Sequence, residues 1–166
     1  MNYKLIHTPL CGEDIIKKIP GCKFILYEDM WKVNSLEQLL PCTLILYELA
    51  RVGHFCSVFI NKEGINFFDP LGSTGVDTEL QMVDPKLVHK LHQDFPYLEK
   101  LIYESGVPEV IYNEFPLQEH KTSTCGDWNF IRLLCRSLTN DEFNSVFKKF
   151  KPLDRDIIVA KLYKKY

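Results

Sequence analysis

An α+β fold, with a small and mostly antiparallel central sheet flanked by helices, is predicted by three features of the sequence. Apolar, β-branched and aromatic runs gather in the middle of the chain, between Cys42 and Asp69. Segments with helical spacing lie towards the two ends, so strands and helices do not alternate along the chain as they would in an α/β protein. No repeat, low-complexity tract or linker interrupts the 166 residues, which predicts one domain over 1–166. A chain of that length buries about two-thirds of its unfolded surface and folds without staples.

Up to about residue 41, "GEDIIKKI" and "NSLEQLL" read as short helical pieces, with loops at Pro20-Gly21 and Pro41. "CTLILYEL", "FCSVFI" and "INFFD" then read as strands, the last two joined by the turn "NKEG" into an antiparallel hairpin. "VDPKLVHKLHQDF" has the spacing of a surface helix and "PEVIYNEF" that of a further strand. From Cys125, Trp128, Ile131, Leu134, Cys135 and Leu138 recur at helical spacing. "TNDEFNSVFKKF" is a helix opened by Thr139 or Asn140, and a last basic helix follows Pro152.

Six cysteines are scattered with no CxxC pair and no Cys/His cluster at zinc spacing, so neither a disulfide framework nor a structural metal is expected, and no cofactor motif is present. The first residues lack a signal peptide's apolar core, and no apolar run approaches the roughly 20 residues that span a bilayer. A protein in a reducing compartment, with no membrane partner, is expected. Net charge is −2, but residues 148–166 hold seven Lys/Arg against two Asp, so the tail is positive and the rest strongly negative. Such a tail suits contact with DNA or simply a solvated helix face.

Candidate chemistry centres on the seam "TSTCGDWN". Thr124, with an acid at Asp127, fits a helix cap, which puts Cys125 in the first helical turn. Free amides and the positive end of the helix dipole favour a thiolate there; Asp127 opposes them, so the net effect is unsigned. Gly126 lets a substrate carbonyl approach the backbone. A cysteine at a helix end also simply fills space. A thiolate nucleophile needs a base, and His54 opens the strand "HFCSVFI", where a rigid element can present it to a cleft. His120, five residues before Cys125, is the alternative base; His89 and His92 read as a surface pair. If the hairpin forms, Asp69 at the end of the second strand becomes the neighbour of His54 and can orient its ring, although an acid before Pro70 also serves as a turn cap. Gln118 can supply an amide donor to an oxyanion beside the Cys125 N–H.

The pattern "GHF…FFDPLG…LQEHKTSTCG", over about residues 42–138, resembles the adenovirus-type (adenain-like) cysteine proteases, as in virophages and Maverick/Polinton elements, and more distantly the SUMO-deconjugating proteases. The resemblance implies a permuted papain-like fold with His54, Asp69, Gln118 and Cys125 as catalytic residues. It also implies that Phe55, where the family commonly has tryptophan, walls the cleft, that Gly126 follows the nucleophile, and, weakly, that Trp31 in "YEDMWKVNSLEQLL" lines its leaving side. Asp127 stands where an apolar residue is usual.

The implied activity is peptide-bond hydrolysis by a monomer acting on capsid or core precursor proteins, next to small residues such as glycine. It would work in the host cytoplasm or nucleus and in the virion, and DNA could stimulate it through the basic tail. The same motifs fit a deconjugase of ubiquitin-like modifiers, although the short N-terminal zone offers little room for a folded modifier. An acetyltransferase with the same residue order would need a cofactor surface for which no motif is present. A non-catalytic interaction module would leave Cys125 as core.

Overall fold

The computed structural model describes residues 3–49 and 52–166; Met1, Asn2, Ala50 and Arg51 lie outside them. Five strands form one sheet in the order β1 (Lys23–Leu26), β2 (Cys42–Glu48), β3 (Gly53–Asn61), β4 (Gly64–Phe68) and β5 (Val110–Tyr112). The architecture is α+β, as the segregated patterning requires. The expected mostly antiparallel sheet is corrected to a mixed one: β2, β3 and β4 pair antiparallel, but β1 joins β2 and β5 joins β4 in parallel.

The hairpin is set by local chemistry. Asn61 pairs with Gly64 across a two-residue turn, where Gly64 takes φ +124° and the Asn61 carboxamide accepts from Glu63 N at 2.9 Å. Alternation along β3 then separates two cores. Phe55 and Phe59 face a layer that holds Ile15, Trp128, Phe130 and Phe143. Cys56 and Val58 face Tyr27, Met30, Leu98 and Leu101. Each such side chain taken fully out of water contributes about 1.5–3 kcal/mol before the entropy of ordering it.

Helices α1 (Tyr3–Ile6) and α2 (Gly12–Lys17) precede the sheet, and α3 (Tyr97–Glu104) lies between β4 and β5. Helices α4 (Cys125–Leu134), α5 (Asn140–Lys148) and α6 (Pro152–Lys165) complete the chain. Helix α5 opens with a full capping box between Thr139 and Glu142. Helix α4 is buried from Cys125 to Leu133, polar residues included, so each of these needs internal partners. Arg132 finds them in the carbonyls of Cys135 and Leu138 and in the rings of Phe59 and Phe143.

Three expectations need correction. Residues 83–95 are a run of turns, not a helix: Leu91 N reaches Leu87 O but Gln93 N reaches Val88 O, and His92 has φ +48°. The reason is tertiary, because the Gln93 side chain is drawn in to bond both the N–H and the C=O of Glu48 at the end of β2. "NSLEQLL" forms only a 3-10 turn, Leu36–Leu39. Thr124 precedes α4, but its side chain does not cap it; the hydroxyl lies 3.1 Å from Thr122 Oγ1 instead. Among the described residues no helix is long and apolar enough to cross a membrane.

Candidate active site

The hairpin does for His54 and Asp69 what its register requires. Ser57 pairs with Phe68, so one step further Asp69 stands opposite Cys56, with His54 on its diagonal and on the same face. His54 Nε2 donates to Asp69 Oδ1 at 2.7 Å, and both side chains are 7% exposed. The turn-cap role holds as well, since Leu71 N donates to the same Oδ1 at 2.9 Å. Asn113 grips the backbone of Asp69 from both sides, accepting from its N–H at 2.9 Å and donating to its C=O at 2.6 Å. Asp69 is therefore held at main chain and side chain alike.

With Nε2 engaged, the other ring nitrogen of His54 is left for the cleft that it lines together with Cys125, the first residue of α4. Burial opposes charge on the ring, but the bond to Asp69 and the nearness of Cys125 outweigh it and hold the His54 pKa up at about 10. Helix α4 is pinned to β3 beside this pair by Asn129, whose amide donates to Phe55 O at 2.7 Å and to Cys125 O at 2.9 Å. Because Thr124 does not cap, its hydroxyl leaves the first amides of α4, the Cys125 N–H among them, to other acceptors.

Gln118 reaches the same cleft from a loop. Its backbone N–H and that of Leu117 both donate to Pro70 O at 2.9 Å, which ties this loop to the turn after Asp69. Its Nε2 donates to Thr122 O at 3.0 Å, fixing which end of the amide is N–H and leaving the second N–H unused. The loop is held from beneath by Asp156 of α6, which is fully buried and accepts from Trp128 Nε1 (2.6 Å), Thr122 Oγ1 (2.7 Å) and Glu119 N (3.0 Å).

His54, Gln118 and Cys125 line a cleft of about 460 Å³ with apolar walls from Pro9, Leu10, Leu46, Leu49, Val52 and Leu71. His120 also reaches the cleft but is exposed. Phe55 contributes to the wall although only 4% exposed. Gly126 is required by packing more than by substrate approach: a Cβ there would sit 3.0 Å from Ile15 Cδ1 and 3.2 Å from Leu10 Cβ. Trp31 is not brought to this cleft; it borders a separate depression with Tyr97 and Lys100, and its ring lies 5.5 Å from that of His92. Burial pushes the Asp127 carboxyl up to about 7, with Asp156 nearby adding to the effect, so its opposition to a thiolate is weaker than the sequence suggests.

Sequence reasoning missed Asn113, Asn129, Asp156 and a further buried acid, Glu79, because each acts across the fold and not within a motif. It also missed that Cys56 lies with His54 and Asp69, their ligand atoms within 4.8 Å of one another. Tetrahedral zinc keeps its donors about 3.3 Å apart. The 2.7 Å bond between His54 and Asp69 is shorter than that, so a metal would have to break it. Compared with known proteins, the chain matches no family model and no curated sequence.

Proposed function

We propose that the protein is a cysteine endopeptidase of the adenain-like kind, with a permuted papain-like arrangement of its catalytic residues. The observation that carries this reading is the buried His54–Asp69 pair, its histidine lining one cleft with Cys125, which stands at a helix N-terminus. Cys125 gives its proton to His54, and the sulfur attacks a peptide carbonyl carbon. The Gln118 amide and the Cys125 N–H receive the oxyanion. The C–N bond breaks as His54 returns the proton to the leaving amine, and a thioester remains. Water, giving a proton to His54, hydrolyses it and restores the thiol. Asp69 orients the ring and balances its charge throughout.

The substrates are polypeptides, by resemblance the capsid or core precursors of a virus-like particle matured in the host cytoplasm or nucleus and in the virion. Apolar walls that include Leu10, Leu46 and Leu49 suit small residues such as glycine next to the scissile bond. DNA could bind the tail, where six lysines and Asp154 reach the surface while Arg155 and Asp156 turn inward. A rate that rises with DNA and falls with salt is then expected.

The test is limited alkylation of the native protein with iodoacetamide, read cysteine by cysteine by mass spectrometry, with His54→Ala beside the wild type. Cys125 should react fastest near neutral pH and lose that advantage in the variant. A Cys125 no faster than the exposed Cys11 would sink the reading. Hydrolysis of a glycine-containing fluorogenic peptide then separates a protease from a silent module, and a Gly-Gly-terminated modifier adduct separates it from a deconjugase.

A further inference from the structure

Glu79 is a buried acid that the mechanism above does not use. It comes from the 3-10 turn Thr78–Met82, which is set by Asp77 at φ +60°. Asp77 is itself anchored, accepting from Tyr47 Oη at 2.8 Å and from Glu99 N at 3.0 Å. The turn thus delivers Glu79, 1% exposed, against the far side of the site. Cys56 Sγ donates to its Oε1 at 3.6 Å. The other oxygen, Oε2, is buried with no partner among the described residues. Cys56 Sγ, bonded to Glu79, also lies within 4.8 Å of the Asp69 carboxylate, so the two acids share one buried pocket, and the titratable groups that act on the carboxyl there are Asp69, His54, Cys56 and Tyr47. Among the described residues, His54 is the cation that acts on it.

We propose that Glu79 stays protonated and donates a hydrogen bond to the Asp69 carboxylate, holding Asp69 on His54 and lengthening the chain Cys125, His54, Asp69 by one member. The inference rests on the protease reading and makes Glu79 a positioning residue for it. A buried carboxyl oxygen without a donor is satisfied when it carries the proton itself, and the acceptor within reach is Asp69. Two carboxylates in contact, out of water, cannot both ionise, so one retains a proton. Asp69 is the one that faces His54 and Leu71 N–H, both donors, whereas the side-chain donor bonded to Glu79 is the weak Cys56 thiol. The proton therefore belongs on Glu79. Burial, followed by the Asp69 charge, pushes its pKa up to about 8, which keeps it neutral where the enzyme works and lets it ionise just above. Ionisation would remove the donor and set a second negative charge against Asp69, freeing the acid to swing off His54.

The test follows Cys125 alkylation by iodoacetamide from pH 5.5 to 10 in the wild type, Glu79→Gln and Glu79→Ala, with the thermal midpoint of each recorded. Glutamine keeps an N–H for Asp69 and an oxygen for Cys56 but cannot ionise. The wild-type profile should show a step near pH 8 beside the later one expected from His54 near 10. Glu79→Ala should slow Cys125 at neutral pH by about tenfold, and Glu79→Gln should recover most of that rate while lacking the step near pH 8. A step near pH 8 that survives in Glu79→Gln would overturn the assignment while leaving the Cys125–His54 pair intact. So would a Glu79→Ala protein as reactive as the wild type. Wild-type Cys125 no faster than Cys11 would overturn the protease reading and this inference together. Because glutamine is nearly isosteric, its profile decides the matter even if the alanine variant does not fold.

Discussion

Replacing Asp156 tests whether the last helix supports Gln118 as the proposed oxyanion donor. The carboxylate receives three hydrogen bonds, two of them from Glu119 and Thr122, the residues that bracket the turn after Gln118. Thr122 in turn supplies the carbonyl that orients the Gln118 amide. Hydrogen bonds to a charged acceptor contribute about 1.5–3 kcal/mol each, but burial of the carboxylate, which pushes its pKa upward, subtracts from the sum. Asp156→Ala should therefore destabilise the protein by about 3–5 kcal/mol. At about 2–4 °C per kcal/mol for a chain of this size, the thermal midpoint should drop by about 10 °C.

Asp156→Asn is the more informative variant. It keeps the volume and one acceptor oxygen, so it folds, but its amide N–H₂ must confront either Trp128 Nε1 or the Glu119 and Thr122 donors. With the turn loosened, kcat for a peptide substrate should fall about 10- to 100-fold with KM little changed, less than removal of the oxyanion donor itself. The assay is steady-state hydrolysis at neutral pH beside a melting curve at the same pH. A fully folded Asp156→Asn enzyme with kcat within about twofold of wild type would refute the claim that α6 positions Gln118.

Gln118→Ala should lower kcat by about 10²- to 10³-fold without unfolding the protein, measured by peptide hydrolysis; retention of kcat would remove Gln118 from the site. Gly126→Ala should lower the melting midpoint, because a methyl group pressed against Ile15 and Leu10 costs about 1–3 kcal/mol and improved helix propensity offsets at most about 1. A higher midpoint in that variant would mean the packing is looser than the contacts indicate. Stability should fall as pH rises from 5 to 9. Asp127 and Glu79, raised to about 7 and about 8, ionise more readily in the unfolded chain, so stability declines across the span from their ordinary values to these. His54, raised to about 10, adds stability that is fully present below its ordinary value of 6.5 and is lost as pH climbs through 10. A melting midpoint that rises between pH 5 and 9 would contradict all three signs.

The hairpin that carries His54 and Asp69 was legible because its determinants are local. Period-2 alternation chose the face, and the turn at Asn61–Gly64 chose the register, so the approach of His54 to Asp69 followed from spacing alone. The turn-cap and orienting roles of Asp69 did not exclude each other, since one oxygen accepts both bonds. Helix α3 carries a readable signal in Leu98, Leu101 and Ile102, all buried and three or four apart, next to the stronger-looking pattern at residues 83–95. That pattern failed because Gln93 is needed at the end of β2, a demand no local propensity registers. Strand β1 was hidden for a similar reason: four residues with a parallel partner twenty positions away leave almost no sequence trace. The second layer of the site, Asn129, Asp156 and Glu79, consists of polar residues on helices or turns, where a sequence reading assigns them to solvent.

Those second-layer residues divide the site into two supports that can fail separately. His54 and Asp69 sit on one hairpin, and Asn129 locks the Cys125 helix to the same hairpin, so in the proposed mechanism proton transfer to and from the sulfur depends on β3, β4 and α4. Gln118 depends on Pro70 O above and on Asp156 of α6 below. Alkylation by iodoacetamide needs the thiolate but develops no oxyanion, whereas peptide hydrolysis needs both. In Gln118→Ala and Asp156→Asn, Cys125 should therefore keep its alkylation profile while hydrolysis falls, and in His54→Ala both should fall together. Loss of alkylation in the Asp156 variant would mean that α6 supports the nucleophile itself, through Trp128 one turn along α4, and that the two supports are one.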